Sequence, residues 1–147
     1  MGRSLAAEIE MHLQNKDNEE DLQISFICHS LGGLIVRSAL AYLERWKLHM
    51  NTFISLSCPH MGYLYHGNHL TKLGMMAISK VMHLRVMDTL LLKDNGQSGA
   101  LRNSYIYGLS MHQGLSWFKS VSLYGSEDDG YVSVKSALIE DKEGLSG

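Results

Sequence analysis

The feature that most constrains the fold is an apolar segment that passes through a tight turn directly into a helix. Residues 22–28 become continuously apolar towards their end, which is typical of a buried strand in a parallel sheet. Residues 34–43 have the period and composition of a helix. The turn between them, residues 28–33, has the sequence Cys-His-Ser-Leu-Gly-Gly. This order of strand, turn and helix predicts an α/β protein.

Further strands and helices are predicted along the chain. Strands are expected at residues 51–57 and 118–124, and helices at residues 3–14, 63–93 and 100–109. Strands that alternate with helices imply a parallel sheet with right-handed crossovers and helices on both faces. Three strands are few for a sheet of this kind, so the sequence indicates part of a domain.

Ser30 occupies the position of the nucleophile in a Gly-x-Ser-x-Gly turn. At such a turn the serine has a strained backbone conformation that lifts its hydroxyl above the sheet. The N–H of Leu31 then points at the oxyanion of acyl transfer, and Gly32 lets strand and helix approach closely. Cys28 stands where the first glycine is usual, and its side chain must be accommodated there. The alternative is that Ser30 only caps the helix, as serines often do.

Four segments of the chain resemble the eukaryotic putative serine esterase family, a lipase-like group of α/β-hydrolases. They are residues 26–37, 53–62, 114–119 and 123–132, in the family's order. The likeness is closest to the subfamily whose members carry this domain at their C-terminus. The resemblance implies a partial α/β-hydrolase fold, with residues 1–147 as the C-terminal part of one domain that is truncated at both ends. It also implies a carboxylic or lipid ester as substrate and an acyl-serine intermediate.

The acid and the base of a catalytic triad follow the serine in that order in this fold. The resemblance implies that Asp129 is the acid, whereas Asp128 and Glu127 belong to an acidic turn. No histidine occurs in residues 130–147, where the base is expected, and the early loop that supplies a second oxyanion donor is also absent. Because a serine without a base is a weak nucleophile, we expect little or no activity from this chain alone and esterase activity from its parent protein.

The other histidines have no place in that order. His60 lies in a Pro-His-Met-Gly loop, where it either shapes the site or has a structural role. His29 flanks the nucleophile, and packing beside the site is expected of it. His112 precedes Asp129 and is expected on the surface of a helix-to-strand connection. Three more histidines lack a surrounding motif and are expected to be exposed: His66, His69 and His83.

Other functions for the same residues remain open. A hydrolase fold can serve as a non-catalytic scaffold or as a lipid- or protein-binding module, and the altered Cys28 and the missing histidine favour that view. A cysteine hydrolase built on Cys28 or Cys58 has no histidine in a matching order. A zinc site from these cysteines with His29 and His60 lacks the usual ligand spacing. Two buried, reduced thiols are favoured over a disulfide.

Composition narrows the class of partner. With 45% hydrophobic and 19% charged residues, the chain is globular. Its net charge of −2 comes from mixed acidic and basic residues, with no basic stripe for nucleic acid. No run is long enough to cross a membrane, so a cytoplasmic location is expected, with no cofactor and no metal. The methionine-rich residues 70–92 form either an adaptable groove for an acyl chain or a cover for the sheet.

Overall fold

A computed structural model describes residues 1–14, 21–62 and 101–140 of the chain. The strands in this part are β1 (Ile24–His29), β2 (Met50–Leu56) and β3 (Ser120–Tyr124). The α-helices are α1 (Gly2–Leu13), α2 (Gly32–Leu40), α3 (Tyr105–Met111) and α4 (Val134–Leu138). Short 3-10 helices span Glu44–His49, Leu101–Asn103 and Gln113–Trp117.

The described strands form one parallel sheet in the order β1-β2-β3. Parallel strands need crossover connections, and α2 lies in the connection between β1 and β2. The last residue of each strand is level with the last residue of its neighbour: His29, Leu56 and Tyr124. All three carboxyl ends therefore meet at one edge of the sheet. The predicted α/β class and parallel sheet are confirmed.

The core lies between one face of the sheet and the helices α1 and α2, which pack against each other. On β1 the side chains of Ile24 and Cys28 are buried, whereas Ile27, which points to the opposite face, is 76% exposed. Phe53 in the middle of β2 is fully buried, and its ring centroid lies 5.5 Å from that of Phe118. The alternation along β1 shows which sheet face turns away from solvent.

The observed elements differ from the predicted ones mainly at their ends. Helix α2 begins at Gly32, earlier than predicted, because the turn passes into it without a break. Strand β3 begins at Ser120 rather than at Phe118, because the Phe118 N–H still donates to the Leu115 carbonyl and closes the preceding 3-10 helix. Helix α4 has no counterpart in the prediction, since its 5 residues are too few to display a helical period.

Both cysteines, Cys28 and Cys58, are buried and unpaired, which confirms the prediction of free thiols. Within the three described stretches, no helix combines the length and the apolar character needed to cross a lipid bilayer. The predicted helical stretch 63–93, with its methionine-rich part and the loop at 95–99, lies outside the described residues.

Candidate active site

The carboxyl edge of the sheet brings together the segments that follow the three strands. The Ser30 N–H donates to the Leu56 carbonyl at 3.0 Å, so the residue after β1 is bonded to the end of β2. The Ser57 N–H donates to the Tyr124 carbonyl at 2.8 Å, which ties the residue after β2 to the end of β3. In open parallel sheets, ligands bind outside this edge. Ser30 therefore lies where a binding site is expected in such a fold.

Ser30 has a strained backbone, as the sequence predicts. Its φ is 51°, in the left-handed region that residues with a side chain seldom occupy and that costs about 1–3 kcal/mol. The N-cap of α2 is Leu31, and no side chain makes a capping hydrogen bond there. The alternative that Ser30 serves only as the N-cap is therefore wrong. None of the described residues hydrogen-bonds to the half-buried Ser30 hydroxyl.

The first turn of α2 places an amide next to Ser30. The carbonyl of Leu31 accepts the Ile35 N–H at 3.1 Å, whereas no described residue accepts a hydrogen bond from the Leu31 N–H. The first amides of a helix lack partners within it and lie at the positive end of its dipole. The Leu31 N–H is thus available to a negatively charged oxygen close to Ser30.

Close approach at this turn depends on Gly33 and not on Gly32. A Cβ added to Gly32 would lie 3.8 Å from the Cβ of Cys28, which is an ordinary contact. A Cβ added to Gly33 would lie 2.6 Å from the Cys58 sulfur and 3.0 Å from Cε1 of His60. The sequence assigns the close approach to Gly32 instead of Gly33, because the neighbours of Gly33, Cys58 and His60, come from a later segment of the chain. The Cys28 side chain, which replaces the usual glycine, is accommodated in the core.

The segment that packs against Gly33 is the post-β2 loop, residues 57–62. Nε2 of its His60 lies 2.7 Å from Oγ of Ser55, the last residue but one of β2. Nη1 of Arg37, on α2, donates to the His60 carbonyl at 3.1 Å and lies 3.4 Å from His60 Nδ1. All three side chains are buried. His60 therefore joins the sheet to α2, and a role in shaping the site stays a prediction.

A second set of hydrogen bonds joins the post-β2 loop to α4. Oγ of Ser136 donates to the Gly62 carbonyl at 2.7 Å and accepts the Met61 N–H at 3.1 Å. Ser136 is fully buried, so these bonds are shielded from water. The loop thus connects the helix that follows Ser30 with the helix that follows Asp129.

Burial makes His60 a neutral residue. Desolvation, with a smaller contribution from the nearby Arg37 charge, lowers the pKa of His60 from its ordinary value to about 3. A base this weak cannot accept a proton from a serine at neutral pH. His60 is therefore excluded as the general base, in agreement with its position before Asp129 in the chain.

Asp129 is the ordered carboxylate of the acidic turn after β3. One oxygen, Oδ1, accepts the N–H groups of Tyr131 at 2.8 Å and Val132 at 3.0 Å. Its own N–H donates to the Ser126 carbonyl. Asp128 is exposed on the same turn, and among the described residues its one hydrogen bond is from its backbone N–H to the Ser126 hydroxyl. Of these two aspartates, Asp129 alone has a carboxylate oriented by backbone donors.

His29 and His112, for which the sequence also makes predictions, have no part in the side-chain hydrogen bonds of Ser55, Ser136 and Asp129. His29 is exposed at the end of β1. His112 is half-buried rather than on the open surface, because its Nδ1 accepts the Gly114 N–H at 3.1 Å and its ring packs edge-on against Trp117. Three histidines expected to be exposed lie outside the described residues: His66, His69 and His83.

The geometry bears on the cysteine and zinc alternatives. Burial, reinforced by the nearby Cys58, raises the pKa of the Cys28 thiol to about 11, so it stays protonated at neutral pH and is a poor nucleophile. In the part of the chain that the structure describes, no group of three or more His, Cys, Asp or Glu side chains is arranged to hold a metal ion.

Comparison with known families agrees with this geometry. The family model described as "Putative serine esterase (DUF676)" matches residues 1–141. The chain belongs to this family of esterase-like hydrolases, and its parallel sheet is that of an α/β-hydrolase. No solved structure matches the chain.

The contact at Gly33 leads to a test with a matched neighbour. We expect Gly33→Ala to lower the free energy of unfolding by about 1–3 kcal/mol, because the new methyl group overlaps the Cys58 sulfur. Gly32→Ala should leave it unchanged or raise it by up to about 1 kcal/mol, since the space is open and alanine restricts the unfolded chain. Urea denaturation of both variants checks this. Equal effects would contradict the close approach at Gly33.

The low pKa of His60 leads to a pH-dependent stability. The unfolded histidine titrates near pH 6.5, so between about pH 6.5 and about pH 3 the unfolded state binds more protons than the fold. The contribution of the neutral His60 to the free energy of unfolding is complete above about pH 6.5. It is lost as the pH falls, by up to about 1.4 kcal/mol per pH unit. Urea denaturation between about pH 7.5 and pH 5, above the carboxylate range, measures the slope. The His60→Gln variant should lack this contribution, and equal slopes would contradict it.

Proposed function

We propose that this domain hydrolyses carboxylic esters through an acyl-enzyme on Ser30. The observation that carries the proposal is the strained Ser30 at the carboxyl edge of the sheet. Next to it, at the start of α2, lies the Leu31 amide, which has no hydrogen-bond partner among the described residues. Acyl transfer requires a nucleophile beside an oxyanion donor, together with a base that activates the nucleophile. Membership in the serine esterase family supports the same reaction class.

The reaction proceeds in two steps. Ser30 Oγ attacks the ester carbonyl carbon, its proton passes to a base, and the Leu31 N–H donates to the oxygen that becomes negative. The tetrahedral intermediate expels the alcohol, which takes the proton from the base. The same base then takes a proton from water, which attacks the acyl carbon. The bond from that carbon to Ser30 Oγ breaks, Oγ takes the proton back from the base, and the carboxylic acid leaves. The backbone conformation of Ser30 places Oγ above the sheet in both steps, first as the nucleophile and then as the ester oxygen of the acyl-serine.

In this proposal Asp129 orients the base, a histidine that follows it in the parent protein. The backbone N–H groups of Tyr131 and Val132 hold Oδ1 of Asp129, which fixes the direction of the carboxylate. Such a carboxylate selects one tautomer of a histidine and stabilises its charged form. His60 cannot take this part, because it is neutral and engaged with Ser55 and Arg37.

The substrate proposed is a small-molecule or lipid ester. Its support is the family and the apolar, methionine-rich sequence of residues 70–92, which suits an acyl chain. His29 and Gly32 flank the nucleophile and are proposed to shape the approach to it. A cytoplasmic location and a role in lipid metabolism stay predictions from the sequence.

Labelling with a fluorophosphonate probe tests the proposal. We expect the longest natural form of the protein to form an adduct on Ser30 and the 147-residue chain to react more slowly, because it lacks a histidine after Asp129. Ser30→Ala should abolish the adduct. The matched control is Ser57→Ala, which removes the other strained serine at this edge, with a φ of 47°, and should still label.

Peptide mapping of the adduct decides between the outcomes. An adduct on Ser57, or labelling that survives Ser30→Ala, would contradict the assignment of the nucleophile. If the folded long form does not react at all, the ester hydrolase proposal fails. The non-catalytic scaffold, the other function that the sequence leaves open, then takes its place.

A further inference from the structure

Arg37 is a buried cation that the proposed reaction does not use. It lies on α2 and is only 7% exposed, although arginine is rarely buried without an ionic partner. No carboxylate among the described residues pairs with it. Its described hydrogen-bond partners are Nδ1 and the carbonyl of His60, both reached by the same nitrogen, Nη1. Burying a charge with so few partners costs free energy, so a function for Arg37 is expected.

The contact with Arg37 fixes which nitrogen of His60 carries the proton. A guanidinium can only donate, so Nδ1 of His60 must be the acceptor. The ring proton then resides on Nε2, which donates to Ser55 Oγ at 2.7 Å. A charged imidazolium would place an N–H against the guanidinium. These contacts therefore favour a neutral ring that is protonated on Nε2.

One face of α2 packs against the post-β2 loop through Gly33 and Arg37. Gly33 and Arg37 are four residues apart, so they lie on the same side of the helix. At Gly33 the helix backbone lies close to Cys58 and His60, and at Arg37 the side chain is bonded to His60. The helix is thus held against the post-β2 loop at two points, one turn apart.

The post-β2 loop is itself anchored to the sheet. Ser55, which bonds to His60, lies beside Cys28 in the register of β1 and β2. The Ser30 N–H bonds to Leu56 in the same strand. The Ser30 N–H is thus bonded to the sheet, and Leu31 is the N-cap of α2. A shift of α2 along this loop would therefore rotate the peptide between the two residues and turn the Leu31 N–H relative to the Ser30 hydroxyl.

We propose that Arg37 is a positioning residue for the reaction of Ser30, which it serves by holding a neutral, single-tautomer His60 that fixes the Leu31 amide against the nucleophile. The inference rests on the proposed function, because it assigns a purpose to that amide. Arg37 does not touch the substrate. Its loss should therefore reduce the rate of the chemical step and leave probe binding nearly unchanged.

The experiment compares Arg37→Met and Arg37→Lys with the unchanged sequence in the longest natural form of the protein. An apolar side chain of similar volume is often tolerated in place of a buried charge, so Arg37→Met is suited to remain folded. Circular dichroism and thermal unfolding check the fold. Fluorophosphonate labelling at several probe concentrations separates the maximal rate from the half-saturating concentration.

We expect Arg37→Met to lower the maximal labelling rate about tenfold to a hundredfold, the size of effect that a displaced reacting group produces. The half-saturating probe concentration should change by less than about twofold, because Arg37 does not contact the probe. Arg37→Lys keeps a donor for one acceptor of His60 and should recover part of the rate. A folded Arg37→Met that labels at the original rate would overturn the proposal.

Nitrogen-15 NMR of the His60 ring supplies a test that needs no variant. At neutral pH we expect Nδ1 without a proton and Nε2 with one, and a proton on Nδ1 would overturn the proposal. If the longest natural form without substitutions gives no adduct on Ser30, the proposed function fails and the inference fails with it. If Ser30 labels normally but the ring tautomer or the Arg37→Met rate disagrees, only the positioning role fails.

Discussion

The hydrogen bond from the Ser30 N–H to the Leu56 carbonyl is the constraint on which the site depends. It extends the pairing of β1 and β2 by one residue beyond the strand, so the chain must turn sharply at Ser30 to enter α2. Ser30 makes this turn with a positive φ, a conformation that is unfavourable for residues with a side chain. The strained conformation persists because the sheet before Ser30 and the packed helix after it hold the backbone in place.

The post-β2 loop provides the second half of that constraint. It contacts α2 through Gly33 and Arg37, the sheet through Ser55, and α4 through Ser136. Buried hydrogen bonds of this kind are strong because water does not compete with them, and each becomes costly when a partner is lost. The loop thus joins the segment after the serine to the segment after Asp129. In the mechanism that we propose, those are the segments that carry the nucleophile and the acid.

The sequence predicts the parts of this structure that depend on neighbouring residues. The apolar strand, the small-residue turn and the helix after Ser30 all leave local patterns, and they form the parallel α/β arrangement expected. The contacts of Gly33 and the Arg37–His60 pair could not be predicted, because the partners are separated by 23 or more residues and follow no repeating pattern. The family resemblance pointed to Asp129, whereas its backbone donors became visible only in the fold.

We propose that Ser30 is the nucleophile and that the Leu31 N–H binds the oxygen that becomes negative in the same reaction. A crystal structure of the protein after reaction with a phosphonate ester tests it most directly, because the phosphorus mimics the tetrahedral carbon of acyl transfer. We predict a covalent bond to Ser30 Oγ and a phosphonyl oxygen within about 2.7–3.1 Å of the Leu31 nitrogen. An adduct on another residue, or a phosphonyl oxygen that points away from the Leu31 N–H, would contradict the claim.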